Sequence, residues 1–429
     1  MDFKKLSAGI CAVMMSVAVL ASCGESESSS KAETSSVSKA AAGDADSQGE
    51  QILTPDEDKP PETDEEWEQA MFKKALVSYG NAGPMQRVIE KAQRGEEVTI
   101  AYLGGSITEG ISAGPDLCYA KLTYEHFAEK YGTGDNVKFV NAGLSGTPSK
   151  LGILRLNRDV LVHEPDICFI EFAVNDGNDQ DHQNAYESIV QTLIGKGIVP
   201  VLLFSVTAED YSAQDYMKQI GEAYDLPMIS YCDALRFLFE NNRMTWEDFS
   251  DDQSHPNVEG HALVASMINY YFDTVVDAED KGELMIPFEP VFAPREVDAG
   301  MYENDSLTPT SLGSWVEGSK IASFTNGWKH ESDAGNEPIV FEFTDKKFLY
   351  MIYREVNKGN YGKIHVKVTA DGEPYNEVDI DPISPTGWGN AQVVNIAMKP
   401  TPVKYTVEIS MAEGDEETYS EILGFGYTE

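Results

Sequence analysis

The fold is decided by Val98-Thr99-Ile100-Ala101-Tyr102-Leu103, which runs directly into Gly104-Gly105-Ser106-Ile107-Thr108. The first six residues form a short, mostly apolar run rich in β-formers. They read as a strand buried on both faces, the kind found in parallel sheets rather than in half-wet antiparallel ones. Working outward, strands and helices alternate. Residues 117–130 read as a helix, 137–142 as a strand, and 150–162 as a helix stopped by Pro165. Residues 166–174 are a nearly continuous apolar strand. Then come a helix (185–195), a strand (199–204), a helix (213–224), a short strand (226–230), and helices near 234–240 and 258–272. Upstream, 64–91 carries a helical pattern broken at 80–84. Apolar strands separated by helices imply a parallel sheet covered on both faces, with its ligand beyond the carboxyl ends of the strands.

The pattern changes after about residue 279. Period-two stretches appear at 339–343, 348–353, 363–369, 377–380, 392–398, 404–410 and 422–427, and Ala370-Asp371-Gly372-Glu373 reads as a hairpin turn. Short alternating strands with no helical stretch between them predict a jelly-roll-like β-sandwich. The expected organisation is a signal segment at 1–22, an acidic linker at 23–63, an α/β domain at 64–277 and the sandwich at 278–429.

The chain has 32 basic and 72 acidic side chains in 429 residues, a formal charge of −40. Polyanion binding rests on Lys and Arg neutralising phosphates, so nucleic acid is excluded as a partner. The charge is uneven: residues 24–68 hold fourteen Asp/Glu against three Lys. Ahead of them, Lys4 and Lys5 precede a short apolar run, 10–20, which is too short to span a bilayer of about 30 Å. It ends in Leu20-Ala21-Ser22-Cys23-Gly24, which resembles a bacterial lipobox and implies lipidation at Cys23. The expectation is an extracytoplasmic protein anchored to the membrane by lipid, with the polar linker as tether. Cys118, Cys168 and Cys232 remain, an odd number at wide spacing that matches no disulfide framework or metal motif. No cofactor or metal is expected.

Chemistry gathers at the strand ends. Ser106 follows the first strand in a glycine turn, where its hydroxyl is exposed and its N–H faces the site. A serine nucleophile needs a base and a group to orient that base. Of the seven histidines, His255 stands apart, because Asp252-Gln253-Ser254-His255-Pro256-Asn257 places an Asp three residues upstream, just before the last helix. An oxyanion needs preorganised donors. Asn141-Ala142-Gly143-Leu144-Ser145-Gly146 offers the Gly146 N–H after the second strand, and Val174-Asn175-Asp176 offers the Asn175 amide after the third.

In this order and spacing the four motifs resemble the SGNH (GDSL-type) hydrolase family, over about residues 96–275. The resemblance implies a flavodoxin-like three-layer α/β/α domain. It makes Ser106 the nucleophile, His255 the base and Asp252 its orienter, with the Ser106 and Gly146 N–H groups and the Asn175 amide as oxyanion hole. Two positions depart from the family pattern: Gly105 stands where Asp is usual, and Ala173 where Gly is usual. The Gly-Gly-Ser-Ile-Thr form, with Leu117-Cys118-Tyr119 behind it and His-Pro-Asn at the end, resembles a branch of bacterial carbohydrate O-acetyl esterases, several of which carry an appended β-sandwich. The implied partner is an acetylated glycan, with acidic pectin the least expected polymer for so acidic a chain.

Other residues invite further readings. Glu171 and Asp176 flank Asn175 and would admit a paired-carboxylate glycosidase site. Trp246 and Phe249 lie in the loop leading to Asp252 and are candidate pocket walls. Trp315, Trp328 and Trp388 sit in Gly/Ser/Thr-rich stretches, where an exposed indole would stack on a sugar and a buried one would belong to the sandwich core. Competing functions are a lipase or thioesterase of the same fold, for which no long apolar lid segment is visible, and a non-catalytic glycan-binding lipoprotein.

Overall fold

The computed structural model describes residues 60–429. The expected signal segment, Cys23 and nearly all of the expected linker lie outside the described residues. The α/β part comprises α1 (Asp64–Ala75), β1 (Leu76–Ser78), α2 (Gly83–Gln93), β2 (Val98–Gly104), the one-turn α3 (Ser106–Glu109), α4 (Tyr119–Tyr131), β3 (Val137–Gly143), α5 (Ser149–Asp159), β4 (Ile167–Glu171), α6 (Gln180–Gly195), β5 (Val199–Phe204), α7 (Gln214–Ala223), β6 (Met228–Ser230), α8 (Tyr231–Glu240), the short α9 (Trp246–Phe249) and α10 (Val258–Thr274).

The sheet order is β1-β6-β5-β4-β2-β3. Strands β2 to β6 are all parallel, and counted among themselves they run 2-1-3-4-5, the flavodoxin-like order. The strand order reverses between β2 and β4, so the crevice at the switch point opens between the strand that delivers Ser106 and the strand that precedes Asn175. β2, β4 and β5 are buried at every residue, as their apolar runs predict. One element departs from expectation. The helical pattern of 64–91 is interrupted by β1, an antiparallel edge strand on β6, before the turn at Gly80.

The β part comprises β7 (Gly300–Tyr302), β8 (Trp315–Glu317), β9 (Trp328–His330), β10 (Ile339–Glu355), β11 (Ile364–Ala370), β12 (Glu373–Ile380), β13 (Asn390–Met411) and β14 (Ser420–Thr428). All its ladders are antiparallel, in the order β12-β11-β13-β10-β14-β9-β8, with β7 on β14. Four stretches expected as separate strands are two long bent ones. Phe343 and Phe348 of β10 belong to one strand with shifted register between them, and β13 runs through Pro400 and Pro402, which have no N–H to give a ladder. The sheet therefore folds over. β11 pairs with the second half of β13, β14 pairs with the second half of β10, and the two half-sheets enclose one core containing Phe341, Val366, Val407, Met351, Ile422 and Phe425. The result is the expected sandwich, made from one continuous sheet.

Residues 71–429 form one compact unit. Tyr350, Ile352, Ala391 and Leu423, on the outer face of the second half-sheet, share a core with Ile153, Leu154 and Ile189 of α5 and α6. Glu296, Tyr350 and Ser188 join the two parts through hydrogen bonds of 2.7 Å (Tyr350 to Glu296) and 3.2 Å (Glu296 N–H to Ser188). Residues 278–299 carry no regular element and are tied along the α/β part: the Val291 and Phe292 N–H groups donate to Glu187, and that of Ala293 donates to Asn184. This attachment fixes the loops of the β part against the switch-point crevice.

Candidate active site

Ser106 opens α3 at the end of β2, half-buried. Its Oγ lies 2.8 Å from His255 Nε2, and His255 Nδ1 lies 2.7 Å from Asp252 Oδ2. The second Asp252 oxygen accepts the N–H groups of Ser254 and His255, each at 2.7 Å. Partial burial acts to raise the Asp252 carboxyl, but the two backbone N–H groups and the imidazole outweigh it and hold the group below the usual carboxylate range. An ionised Asp252 places a proton on Nδ1 and leaves Nε2 to accept from Ser106, the tautomer a general base requires.

The turn that carries the pair is braced by residues whose role the sequence did not reveal. Buried Ser250 takes the Asp252 N–H at 3.2 Å and donates toward the carbonyls of Asp252 (3.0 Å) and His255 (2.6 Å). Trp246 donates its indole N–H to the Asp252 carbonyl at 2.6 Å and packs edge-on against Phe249. It therefore holds the catalytic turn, and Phe249 is fully buried beneath it.

Asn175 meets the turn of Ser106 directly. A side-chain carbon on Gly105 would lie 2.4 Å from Asn175 Oδ1, so glycine before the serine is what admits the carboxamide. Gly146 sits in the left-handed region (φ 68°), in the loop after β3. That loop is bound to the turn of Ser106 by Leu144 N–H to Gly104 O (3.1 Å) and by Ser145 to Glu109. Among the described residues, no protein acceptor takes the Ser106 or Gly146 N–H, which leaves both for an oxyanion. Beneath the site, fully buried Arg155 donates to the carbonyls of Gly104 (2.9 Å) and Ala142 (2.7 Å), clamping the ends of β2 and β3, and pairs with Asp159. The i,i+4 spacing of Arg155 and Asp159 was its only sequence signal.

Burial decides three readings that the sequence left open. Trp315 (2 % exposed) and Trp328 (fully buried) are core residues of the sandwich, packed among Phe341, Phe425 and His330, and offer no face to a sugar. Glu171 and Asp176 are not a glycosidase pair. Glu171 is buried, raised by that burial, and bonded to Ser205 (2.5 Å) and Thr108 (3.1 Å). Asp176 is buried, pushed up to about 6, and takes the Ser149 N–H that opens α5 and the Tyr216 hydroxyl. Trp388, by contrast, is 60 % exposed and stands on the loop that carries Gly146: a side-chain carbon on that glycine would lie 2.8 Å from its ring. Across the crevice Tyr211, part-exposed, donates to the carbonyl of Asp176, next to Asn175. No sequence signal marked Tyr211. Cys118, Cys168 and Cys232 are free and buried. Among the described residues, no group of three or more His, Cys, Asp or Glu side chains is placed to hold a metal, and no helix is long and apolar enough to cross a membrane.

A serine–histidine–aspartate chain at the switch point of this sheet is the arrangement that serine hydrolases use for acyl transfer. Residues 102–263 match the family model described as GDSL-like lipase/acylhydrolase. Curated proteins give no match. Among solved structures, the chain is similar to a two-domain esterase active on acetylated mannans, co-crystallized with mannopentaose, at 24% identity and TM-score 0.71, covering 83% of this chain and 98% of that one. A second structure described as a two-domain esterase active on acetylated mannans gives 23% and 0.70 with the same coverage. An acetyl xylan esterase matches at 22% over 40% of this chain and 98% of its own, with TM-score 0.35.

Proposed function

We propose that this protein is a serine esterase that removes O-acetyl groups from a neutral polysaccharide. The observation that carries the reading is the continuous chain Ser106–His255–Asp252 beside the free Gly146 N–H, with Trp388 roofing that glycine. His255 Nε2 takes the Ser106 proton as Oγ attacks the acetyl carbonyl. The Ser106 and Gly146 N–H groups and the Asn175 amide receive the charge that develops on oxygen. His255 then gives that proton to the departing sugar oxygen, which leaves as a hydroxyl. Water, deprotonated by the same histidine, releases acetate from the acetyl-enzyme.

An exposed indole beside a reacting centre is a stacking surface for a sugar ring. Trp388 thus gives the β part a role in holding the substrate, with Tyr211 on the opposite wall. The two-domain esterase that shares both parts of this fold acts on acetylated mannans, which makes acetylated mannan the first polymer to test. Acetate release by wild type and Ser106→Ala from acetylated mannan, xylan and xyloglucan tests the reading; release that survives the substitution removes it. Trp388→Ala should raise KM for the polymer about tenfold and leave that for 4-nitrophenyl acetate unchanged. The proposed location is the outer face of a membrane, through lipid on Cys23. Loss of fatty-acid labelling in Cys23→Ala would support it, and unchanged labelling would remove it.

A further inference from the structure

Glu109 lies three residues after the nucleophile, at the end of the one-turn helix that Ser106 begins. Its backbone is fixed by an N–H bond to Gly105 O at 3.0 Å. Its side chain leaves the helix and reaches the loop after β3. There one oxygen, Oε2, accepts two hydrogen bonds from Ser145: the backbone N–H at 2.8 Å, and the hydroxyl in a shorter contact. Hydrogen bonds to a carboxylate are roughly twice as strong as neutral ones.

Ser145 is the residue before Gly146. The peptide unit between them carries the N–H assigned to the oxyanion, and only the two flanking dihedrals set where that rigid unit points. Gly146, at φ 68°, restrains its own side of the unit weakly, because glycine moves freely between left- and right-handed regions. The loop ahead of Ser145 is already pinned. Gly143 abuts the Glu109 backbone and gives its N–H to Asn141 at 2.9 Å, and Leu144 bonds Gly104 O. The remaining freedom is at Ser145, and Glu109 removes it from the same helical turn that presents the nucleophile.

We propose that Glu109 is a positioning residue for the oxyanion hole: its carboxylate locks Ser145 so that the Gly146 N–H is aimed before the substrate arrives. The inference rests on Ser106 as nucleophile and Gly146 as donor. Glu109 is exposed and touches no reacting atom. Its loss therefore falls on stabilisation of the transition state and not on substrate binding.

The test compares wild type, Glu109→Ala, Glu109→Gln and Ser145→Ala on 4-nitrophenyl acetate, with Ser106→Ala as the inactive reference. Phenylboronic acid, whose adduct with a serine presents a negative oxygen to the hole, serves as inhibitor, and Tm is read for each variant. A loosened donor should cost less than a deleted one, so kcat should fall about tenfold in Glu109→Ala and less in Glu109→Gln. KM should stay within about twofold, and the inhibition constant for phenylboronic acid should rise by the factor that kcat falls. Should Glu109→Ala fail to fold, Ser145→Ala, which deletes only the hydroxyl bond, should show the same pattern at smaller size. Unchanged kcat in the folded variants, or a loss confined to KM with boronate affinity unaltered, overturns the proposal. Turnover surviving in Ser106→Ala would instead remove the esterase reading beneath it.

Discussion

The chain builds the same Asp-x-x-His pair twice, and the two copies differ in what the carboxylate caps and in what lies across from the histidine. In both, the carboxylate accepts the histidine's own N–H and its Nδ1. The distances to the ring are 2.7 Å for Asp252–His255 and 2.5 Å for Asp179–His182. Both carboxyls sit below the usual range: partial burial opposes this, and the histidine's hydrogen bonds outweigh it. Asp179, however, is the N-cap of α6, and its histidine lies within electrostatic reach of the buried carboxyl of Asp176. Asp252 caps nothing, because Asn257 caps α10, and its histidine reaches Ser106. The motif is a turn geometry with its own local stability. Catalytic meaning comes from the nucleophile that a different strand brings to Nε2.

That contrast can be broken by experiment. His255→Ala should lower kcat on an acetyl ester by about 10⁴-fold or more, since nothing else is placed to take the Ser106 proton. Asp252→Asn should cost about 10³–10⁴-fold with little loss of Tm, because the amide stabilises neither the tautomer nor the imidazolium; a loss under tenfold would put the two pairs on the same footing. Asn175→Ala, which removes one oxyanion donor, should cost about 10²–10³-fold in kcat.

The second pair should speak through stability. Burial raises Asp176 to about 6, against lowering by His182 and by the Ser149 and Tyr216 hydrogen bonds. A carboxyl raised by folding contributes stability that is complete below its unfolded pKa and is lost as pH rises through the folded value. Relative to Asp176→Asn, wild type should therefore lose stability between pH of about 4 and about 6, by no more than ~3 kcal/mol, read by denaturant unfolding at each pH. His182→Ala should be the smallest effect, with kcat within about twofold and that window extended upward. A large loss of activity in His182→Ala would show that the pairs are not separable.

The same division describes what was legible in the sequence. Ser106, Gly146, Asn175, Asp252 and His255 each follow a strand or precede a helix that local pattern reveals, and the sheet order gathers them at one edge. Alternating apolar runs placed the site beyond the carboxyl ends of the strands, whereas the reversal between β2 and β4 follows from the flavodoxin-like order that the resemblance implied and the sheet shows. Arg155, Glu109, Ser250 and Tyr211 were not legible, because each acts through a partner that only the folded chain brings near. The tryptophans show the limit most clearly. Trp315 and Trp328 follow serine and glycine and belong to three-residue strands; Trp315 packs on His330 of the neighbouring strand, and the rings against Trp328, Phe341 and Phe425, come from distant strands of a sheet folded on itself. Trp388 has similar neighbours but sits in a loop facing the crevice. Likewise, 344–347 and 399–402 look like turns between separate strands, because a local pattern shows the interruption but not the ladder that resumes beyond it.

The central claim is that Ser106 carries the acyl group. It is tested most directly by quenching the protein in acid during turnover of an acetyl ester and mapping acetylation by mass spectrometry. The account predicts one acetyl group on the peptide containing Ser106, absent from Ser106→Ala, which releases no acetate. Full acetate release by Ser106→Ala, or an acetyl group that forms at turnover rate on another residue, would contradict it.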